Sequence, residues 1–180
     1  MSVIGHRSVT LPGVVVVGPR TLTTMRPYIR FVEWLGGNRL MLPVVSRIQT
    51  PIDRVLMKTT RGRVRLMSGA YPTLLLTATG RKTGKSRTIP LLFVERSNGG
   101  WVVADTNYGK DERPGWCANL DANPVAKVSI NGVAHEVTAR TATAHECAAY
   151  WPKLDQIWPN FEKYRGRMRR EPHIWILEPD

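Results

Sequence analysis

The sequence predicts a mainly β domain with some α, its strands antiparallel and closed or partly closed into a small barrel. Three observations carry that expectation. Short apolar or β-branched runs recur at residues 64–67, 73–79, 88–95, 101–105, 125–130, 133–140 and 173–178, with the length and composition of strands. Two junctions between such runs, Asn98-Gly99 and Asn131-Gly132, are the dipeptide preferred in type I′ hairpins, where both central residues need positive φ. Strands do not alternate with long helical patterns, which disfavours a doubly wound nucleotide fold, and closing the sheet is the economical way to remove its edges.

Residues 1–50 are read as an N-terminal extension, partly helical, and residues 51–180 as the barrel domain, because the first stretch is rich in Gly, Pro and Arg without a repeat. A total of 180 residues is enough for one domain plus such a segment. Within the extension, residues 26–35 read as a short amphipathic helix with Pro27 in its first turn and Gly36-Gly37 at its end. Two readings of that helix stand: it packs Tyr28, Phe31, Trp34 and Leu35 on the barrel, or it lies on a membrane surface. The ten basic and two acidic residues between Arg20 and Arg65 favour a nearby anionic surface and allow peripheral association with an anionic membrane. The run at 11–18 is too short to span a bilayer.

Helices are expected at two places in the barrel domain. Residues 114–120 form a short one, with Pro114 in the first turn and Asn123-Pro124 stopping it. Thr143 and Glu146 make a capping box that opens a second. Pro152 and Pro159 should bend or break it, since each removes an amide donor. Along it, Trp151, Leu154, Trp158, Phe161 and Tyr164 recur at three- and four-residue intervals, a stripe on one face that reads as core or as a binding wall.

Cys117 and Cys147 are far apart and fit no metal or redox motif, so a reduced, cytoplasmic protein is expected. His6, His135, His145 and His173 lack metal-ligand spacing, and no metal is expected. No Gly-x-Ser-x-Gly elbow supports hydrolysis by a nucleophile.

Gly80-Arg81-Lys82-Thr83-Gly84-Lys85-Ser86-Arg87 places four cations and two glycines between two apolar runs, the make-up of an anion-holding loop. It is not a nucleotide P-loop. Three residues, not four, separate Gly80 from Gly84-Lys85-Ser86, and the β-branched, proline-containing segment that follows is a strand and not a helix. A solvated basic hairpin tip is the plainer reading. The net charge of +12 calls for an acidic partner, whether nucleic acid, an anionic membrane or a small polyanion. Aromatics are not interleaved with the basic loop as stacking platforms, and no nucleic-acid module appears, so no nucleic-acid partner is expected.

Residues 74–91, then Trp101 to Thr106, Pro114 to Pro124 and Tyr150-Trp151-Pro152 resemble, in order and spacing, the deazaflavin-dependent nitroreductase family, the likeness running from about Pro51 to Pro179. The resemblance implies a split β-barrel related to flavin-mononucleotide-binding oxidases. It also implies an enzyme, an oxidoreductase that binds reduced coenzyme F420 and passes a hydride to an organic acceptor such as a quinone or a nitroaromatic compound. On the family pattern the cofactor's phosphate and acidic tail meet Gly80, Arg81, Lys82, Thr83, Gly84, Lys85, Arg87, Pro90 and Leu91. Its ring meets the segments from Ala104 to Gly109, through Ala104, Asp105, Thr106, Asn107 and Gly109, and from Trp116 to Leu120, through Trp116, Asn119 and Leu120; Asp105 puts a carboxylate where the family commonly has a small residue, and it either faces away from the ring or discourages the most acidic ligands. Trp158, Phe161 and Tyr164 are assigned to the substrate, with Tyr164 and Thr106 as catalytic groups. Nitroimidazole-reducing members carry tyrosines at the positions of Trp158 and Phe161 and serine at that of Thr106, which implies poor activity on nitroimidazoles here. A flavin-mononucleotide or haem protein on the same barrel is the alternative, with FMN as the alternative cofactor. The expected partners are a small-molecule hydride acceptor and, for the chain itself, a monomeric or homodimeric state.

Overall fold

The computed structural model describes residues 71–180 together with Arg30, Glu33, Trp34, Gly37 and Asn38. The strand expected at 64–67, most of the helix expected at 26–35, and His6 lie outside the described residues. Arg30, Glu33, Trp34 and Gly37 are helical and Asn38 is not.

Among the described residues seven antiparallel strands form one sheet: β1 (Thr73–Thr79), β2 (Ser86–Leu92), β3 (Val94–Glu95), β4 (Trp101–Ala104), β5 (Val125–Ile130), β6 (Val133–Thr141) and β7 (Ile174–Pro179). Their order is β2-β1-β5-β6-β7-β4-β3. The run at 88–95, expected as one strand, is interrupted at Phe93, whose side chain is buried and whose N–H donates to the Pro72 carbonyl at 3.2 Å. That interruption shapes the fold. The strands on either side of Phe93 are the two opposite edges of the sheet, so one residue joins edges that a flat sheet would hold far apart, and the sheet curls into the expected half-barrel. Pro90 lies in edge strand β2, paired only with β1 opposite Leu75, where a missing amide donor is tolerated.

Alternation along β1 sends Leu74, Leu76 and Ala78 into a core shared with Val103, Trp116, Cys117, Leu120, Val128, Val137 and Leu177. A second core lies on the other side of β4 and β7, where Val94, Val102, Ile174 and Ile176 meet Leu154, Trp158, Phe161 and Tyr164. Both faces of β7 are therefore covered, which is why Ile174, Trp175, Ile176 and Leu177 form a continuous buried run rather than an alternating one.

The hairpin at Asn131 (φ 51°) and Gly132 (φ 85°) has the expected type I′ signs. The one at Asn98-Gly99 does not: the positive φ values fall on Gly99 and Gly100, and the Gly99 N–H closes a turn on the Arg96 carbonyl at 3.2 Å. A second glycine after Asn-Gly shifted the left-handed residues by one, since glycine adopts that region more readily than asparagine.

Among residues 71–180, three α-helices flank the sheet: α1 (Gly115–Ala122), α2 (Ala144–Ile157) and α3 (Asn160–Arg167). The capping box at Thr143 and Glu146 is formed at both of its bonds. Pro152, expected to bend or break α2, is carried inside it. Pro152 and Ala148, whose carbonyl would have received the missing bond, both face solvent, so water can serve that carbonyl. The break falls instead at Trp158-Pro159. Arg165 then clasps α3 to α2 through two bonds to Asp155 at 2.7 and 2.8 Å, its guanidinium lying 4.2 Å from the Trp151 ring centre. No described helix is long and apolar enough to cross a membrane.

Candidate functional site

The loop between β1 and β2 folds on itself through three bonds: Gly80 N–H to Lys85 O at 2.9 Å, Thr83 N–H to Gly80 O at 3.1 Å and Gly84 N–H to Gly80 O at 2.8 Å. A side chain at position 80 would lie 3.0 Å from the Lys85 carbonyl and 3.1 Å from Thr83 Oγ1, which explains the glycine there. Across from the loop stands α1, and the Arg81 N–H donates to Asn119 Oδ1 at 3.1 Å. Between them runs an open groove of about 470 Å³ lined by Gly80, Arg81, Lys82, Thr83, Arg87, Ile89, Gly115, Trp116 and Asn119. Its walls hold three cations and no carboxylate, so its local potential is positive. Gly84 and Lys85 are exposed and do not line it.

Ile89 and Trp116 also belong to a second, more enclosed chamber of about 250 Å³. The rest of its wall is Pro90, Leu91, Leu92, Ala104, Thr106, Asn107, Tyr108, Pro114, Phe161 and Tyr164. Groove and chamber thus share a boundary. One end of the site is cationic and wet, the other apolar with a few hydroxyls and one amide.

Several residues expected at the site sit elsewhere. Leu120 is buried in the core beneath α1 and reaches neither space. Gly109 backs onto Tyr164 instead of lining the chamber. Trp158 is buried at the α2–α3 break, edge-on to Tyr71 at 5.1 Å between ring centres, and is absent from the chamber wall. Of the aromatic stripe, Phe161 and Tyr164 reach the chamber. Three-residue spacing could not separate these positions, because the helix that would have carried all of them on one face stops between Trp158 and Phe161.

Asp105 faces away from both spaces, one of its two expected placements. It is fully buried and lines neither space; its carboxylate accepts from Arg170 Nη1 at 2.9 Å and the His173 N–H at 2.8 Å, with Arg113 Nε at 3.5 Å. Arg170 donates further to the carbonyls of Asp105 and Asp111. The carboxylate therefore staples the 105–113 segment, which carries Thr106 and Tyr108, to the connection between α3 and β7. Burial, with Asp105 next in weight, pushes the neighbouring Cys117 thiol well above its ordinary range, so Cys117 stays neutral and is no nucleophile.

Tyr164 is 3% exposed, and burial pushes its phenol up to about 12 against a weaker opposing effect of a hydrogen bond from Trp158. It holds its proton throughout the neutral range. The N-terminal segment reaches the same helix: Asn160 Nδ2 donates to the Glu33 carbonyl at 2.7 Å and Arg167 Nη2 to the Gly37 carbonyl at 2.6 Å.

Tyr108 and Ile89 reach the chamber from the segments expected at the cofactor, whereas Pro114 and Leu92 line it without having been expected there, and Arg113 and Arg170 hold it from behind. Pro114 lay within a stretch already singled out. Arg170 is 65 residues from Asp105, and no local pattern pairs them.

A family model described as F420H(2)-dependent quinone reductase matches residues 46–179. An F420H(2)-dependent quinone reductase of Mycobacterium tuberculosis strain H37Rv is 30% identical over 122 residues, covering 66% of this chain and 81% of that protein. A solved structure titled as an F420-H2 dependent reductase is 30% identical with a TM-score of 0.55, over 59% of this chain and 94% of its own. A second, described as a domain-swapped dimer, is 29% identical with a TM-score of 0.57, over 71% of this chain and 99% of its own.

Proposed function

Since this chain belongs to the F420H(2)-dependent quinone reductase family, it is a deazaflavin-dependent oxidoreductase with coenzyme F420 as its cofactor, and we propose that it reduces planar quinones in the chamber above Trp116. The observation that carries this reading is the shared boundary of a cationic groove and an apolar chamber. A deazaflavin joins a planar ring to an anionic tail, and the two spaces match those parts in charge and polarity. When bound, F420H2 supplies a hydride and a proton, becoming F420 as the quinone becomes a hydroquinone.

The chain's own residues then have four tasks. Arg81, Lys82 and Arg87, which line the groove, would hold the acidic tail. Ile89, Pro90, Leu91 and Trp116 flank the ring and exclude water, which strengthens every polar contact made inside. Asn119 fixes the loop. Tyr164 and Thr106 offer hydroxyls to the quinone oxygen that gains charge as hydride arrives; a phenol raised to about 12 acts there as a retained donor and not as an anion. The hydrogen bond from the Trp158 indole polarises that phenol from behind, giving Trp158 an orienting role in place of a contact with substrate.

Nitroaromatic compounds are the second acceptor class for this wall, with nitroimidazoles reacting more slowly than quinones because Phe161 offers no hydroxyl. A homodimer fits the relative solved as a domain-swapped dimer. The basic N-terminal segment, with Trp34 57% exposed, suits peripheral contact with an anionic membrane on the cytoplasmic side. Titrating the protein with F420 and with FMN at equal salt tests the cofactor assignment: F420 should bind more tightly because the groove offers more cations than one terminal phosphate uses. Equal or reversed affinities would return the barrel to flavin chemistry.

A further inference from the structure

Asn107, Tyr108 and Gly109 have φ values of 42°, 58° and 80°, three successive residues in the left-handed region. For a residue with an aromatic side chain this conformation is unfavourable. Here it is enforced from several sides. The Gly109 N–H donates to the Thr106 carbonyl at 2.7 Å, the Lys110 N–H to the Asn107 carbonyl at 3.1 Å, and Asn107 Nδ2 to the Glu112 carbonyl at 2.7 Å. The turn is also pressed against α3, since a side chain at Gly109 would meet Tyr164 Cα at 3.2 Å.

Glycine would adopt the same backbone at position 108 without strain, so the tyrosine is held there at a cost. What the strain places is a ring on the chamber wall. Tyr108 is 37% exposed, and its ring meets that of Tyr164 nearly edge-on, at 6.4 Å between centres and 67° between planes. Tyr164 in turn meets Phe161 at 6.3 Å and 76°. Phe161, Tyr164 and Tyr108 therefore form an aromatic wall that runs from the core outward, and Tyr108 is its solvent end.

Resting on the quinone-reduction reading above, we propose that Tyr108 is a specificity-determining residue that selects fused two-ring quinones over single-ring ones. The quinone ring that receives the hydride sits at the inner part of the wall, beside Tyr164. A single-ring acceptor is accommodated there in full. A fused second ring extends toward the mouth and lies against Tyr108, gaining an aromatic contact that the smaller substrate cannot make.

The test compares a naphthoquinone and a benzoquinone on the wild type, Tyr108→Gly and Tyr108→Phe. The first readout needs no turnover: dissociation constants of both quinones for protein loaded with oxidised F420, followed by quenching of tryptophan fluorescence. Tyr108→Gly should lower the preference for the two-ring quinone by about 3- to 10-fold. Tyr108→Phe should keep that preference. In steady-state assays with F420H2 the same change should fall on the KM ratio rather than the kcat ratio. Tyr108→Gly should melt no lower than the wild type, because relief of the left-handed strain offsets the lost ring contact.

An unchanged preference in Tyr108→Gly, equal losses for both quinones, or loss of F420 affinity would overturn the assignment; the last would place Tyr108 against the cofactor. A wild type that binds both quinones but oxidises F420H2 with neither would sink the quinone-reduction reading. That failure is distinguishable, because the binding preference is measured without turnover.

Discussion

The side-chain carbonyl of Asn119 accepts the backbone N–H of Arg81 at 3.1 Å, tying the first residue of the basic loop's turn to helix α1 across the groove. This bond ties together the two walls of the groove proposed for the cofactor's anionic tail. Asn119→Ala removes a net stabilisation of about 1 kcal/mol from the arranged loop, so the dissociation constant for F420 should rise about 5-fold. Fluorescence titration of the cofactor reads the change. The melting temperature should move little, since the bond is exposed.

The cations of the loop are not equivalent. Lys82 and Arg87 line the groove and Lys85 does not. Neutralising either of the first two should weaken F420 binding by roughly 1–3 kcal/mol, the scale of a charge-assisted hydrogen bond. Lys85→Ala should have a smaller effect, limited to the long-range field, and added salt should weaken wild-type binding. Equal losses at the three positions, measured by titration at one ionic strength, would show that the groove does not discriminate among them.

Tyr164→Phe removes one donor and little shape. Quinone turnover should fall by about 10- to 1,000-fold if the phenol stabilises developing charge, with F420 affinity nearly unchanged. Steady-state rates beside a cofactor titration separate the two effects. Loss of cofactor affinity instead would make Tyr164 a support for the ring.

Acid should loosen the join between α2 and the sheet. Bonds from Arg140, then from the Thr143 backbone, hold the Glu146 carboxyl down at about 2, and Arg140 with Arg96 lowers Glu178 as well. A folded-state value below the unfolded one contributes stability that is fully present above the unfolded pKa of about 4.5 and is lost as pH falls toward about 2. Denaturant midpoints should therefore drop across that window, and Glu146→Gln should flatten the drop while lowering stability at neutral pH.

How much of this was legible in the sequence depended on the range of the interactions involved. The described strand runs other than 88–95, the Asn131-Gly132 turn, the capping box at Thr143 and the glycine-rich connection after β1 are fixed by neighbours in sequence, and each appears where local pattern places it. The hidden features are long-range. Phe93 splits an uninterrupted apolar run because the barrel closes there, and nothing local marks that point. Asp105 was legible as an odd carboxylate beside the site, but its partners Arg170 and His173 come from beyond α3. Propensity alone makes Pro152 a helix breaker, although its solvent-facing position removes most of the penalty. Trp158 and Tyr164 share a spacing but not an environment, because the helix boundary between them turns one toward Tyr71 and the other toward the chamber. Tyr108 lies within the segment expected at the ring, but its significance rests on a backbone angle that composition does not report.

Anaerobic single-turnover mixing tests most directly whether groove and chamber act as one site for hydride delivery. Protein loaded with F420H2 is mixed with a naphthoquinone, and the return of the oxidised deazaflavin absorbance is followed alongside hydroquinone formation. One hydroquinone should form for each F420 released from the reduced state. The rate should exceed that of free F420H2 with the same quinone, and high salt should slow the reaction at sub-saturating F420H2 by weakening cofactor binding. A bound, reduced cofactor that is oxidised no faster than in free solution would contradict it.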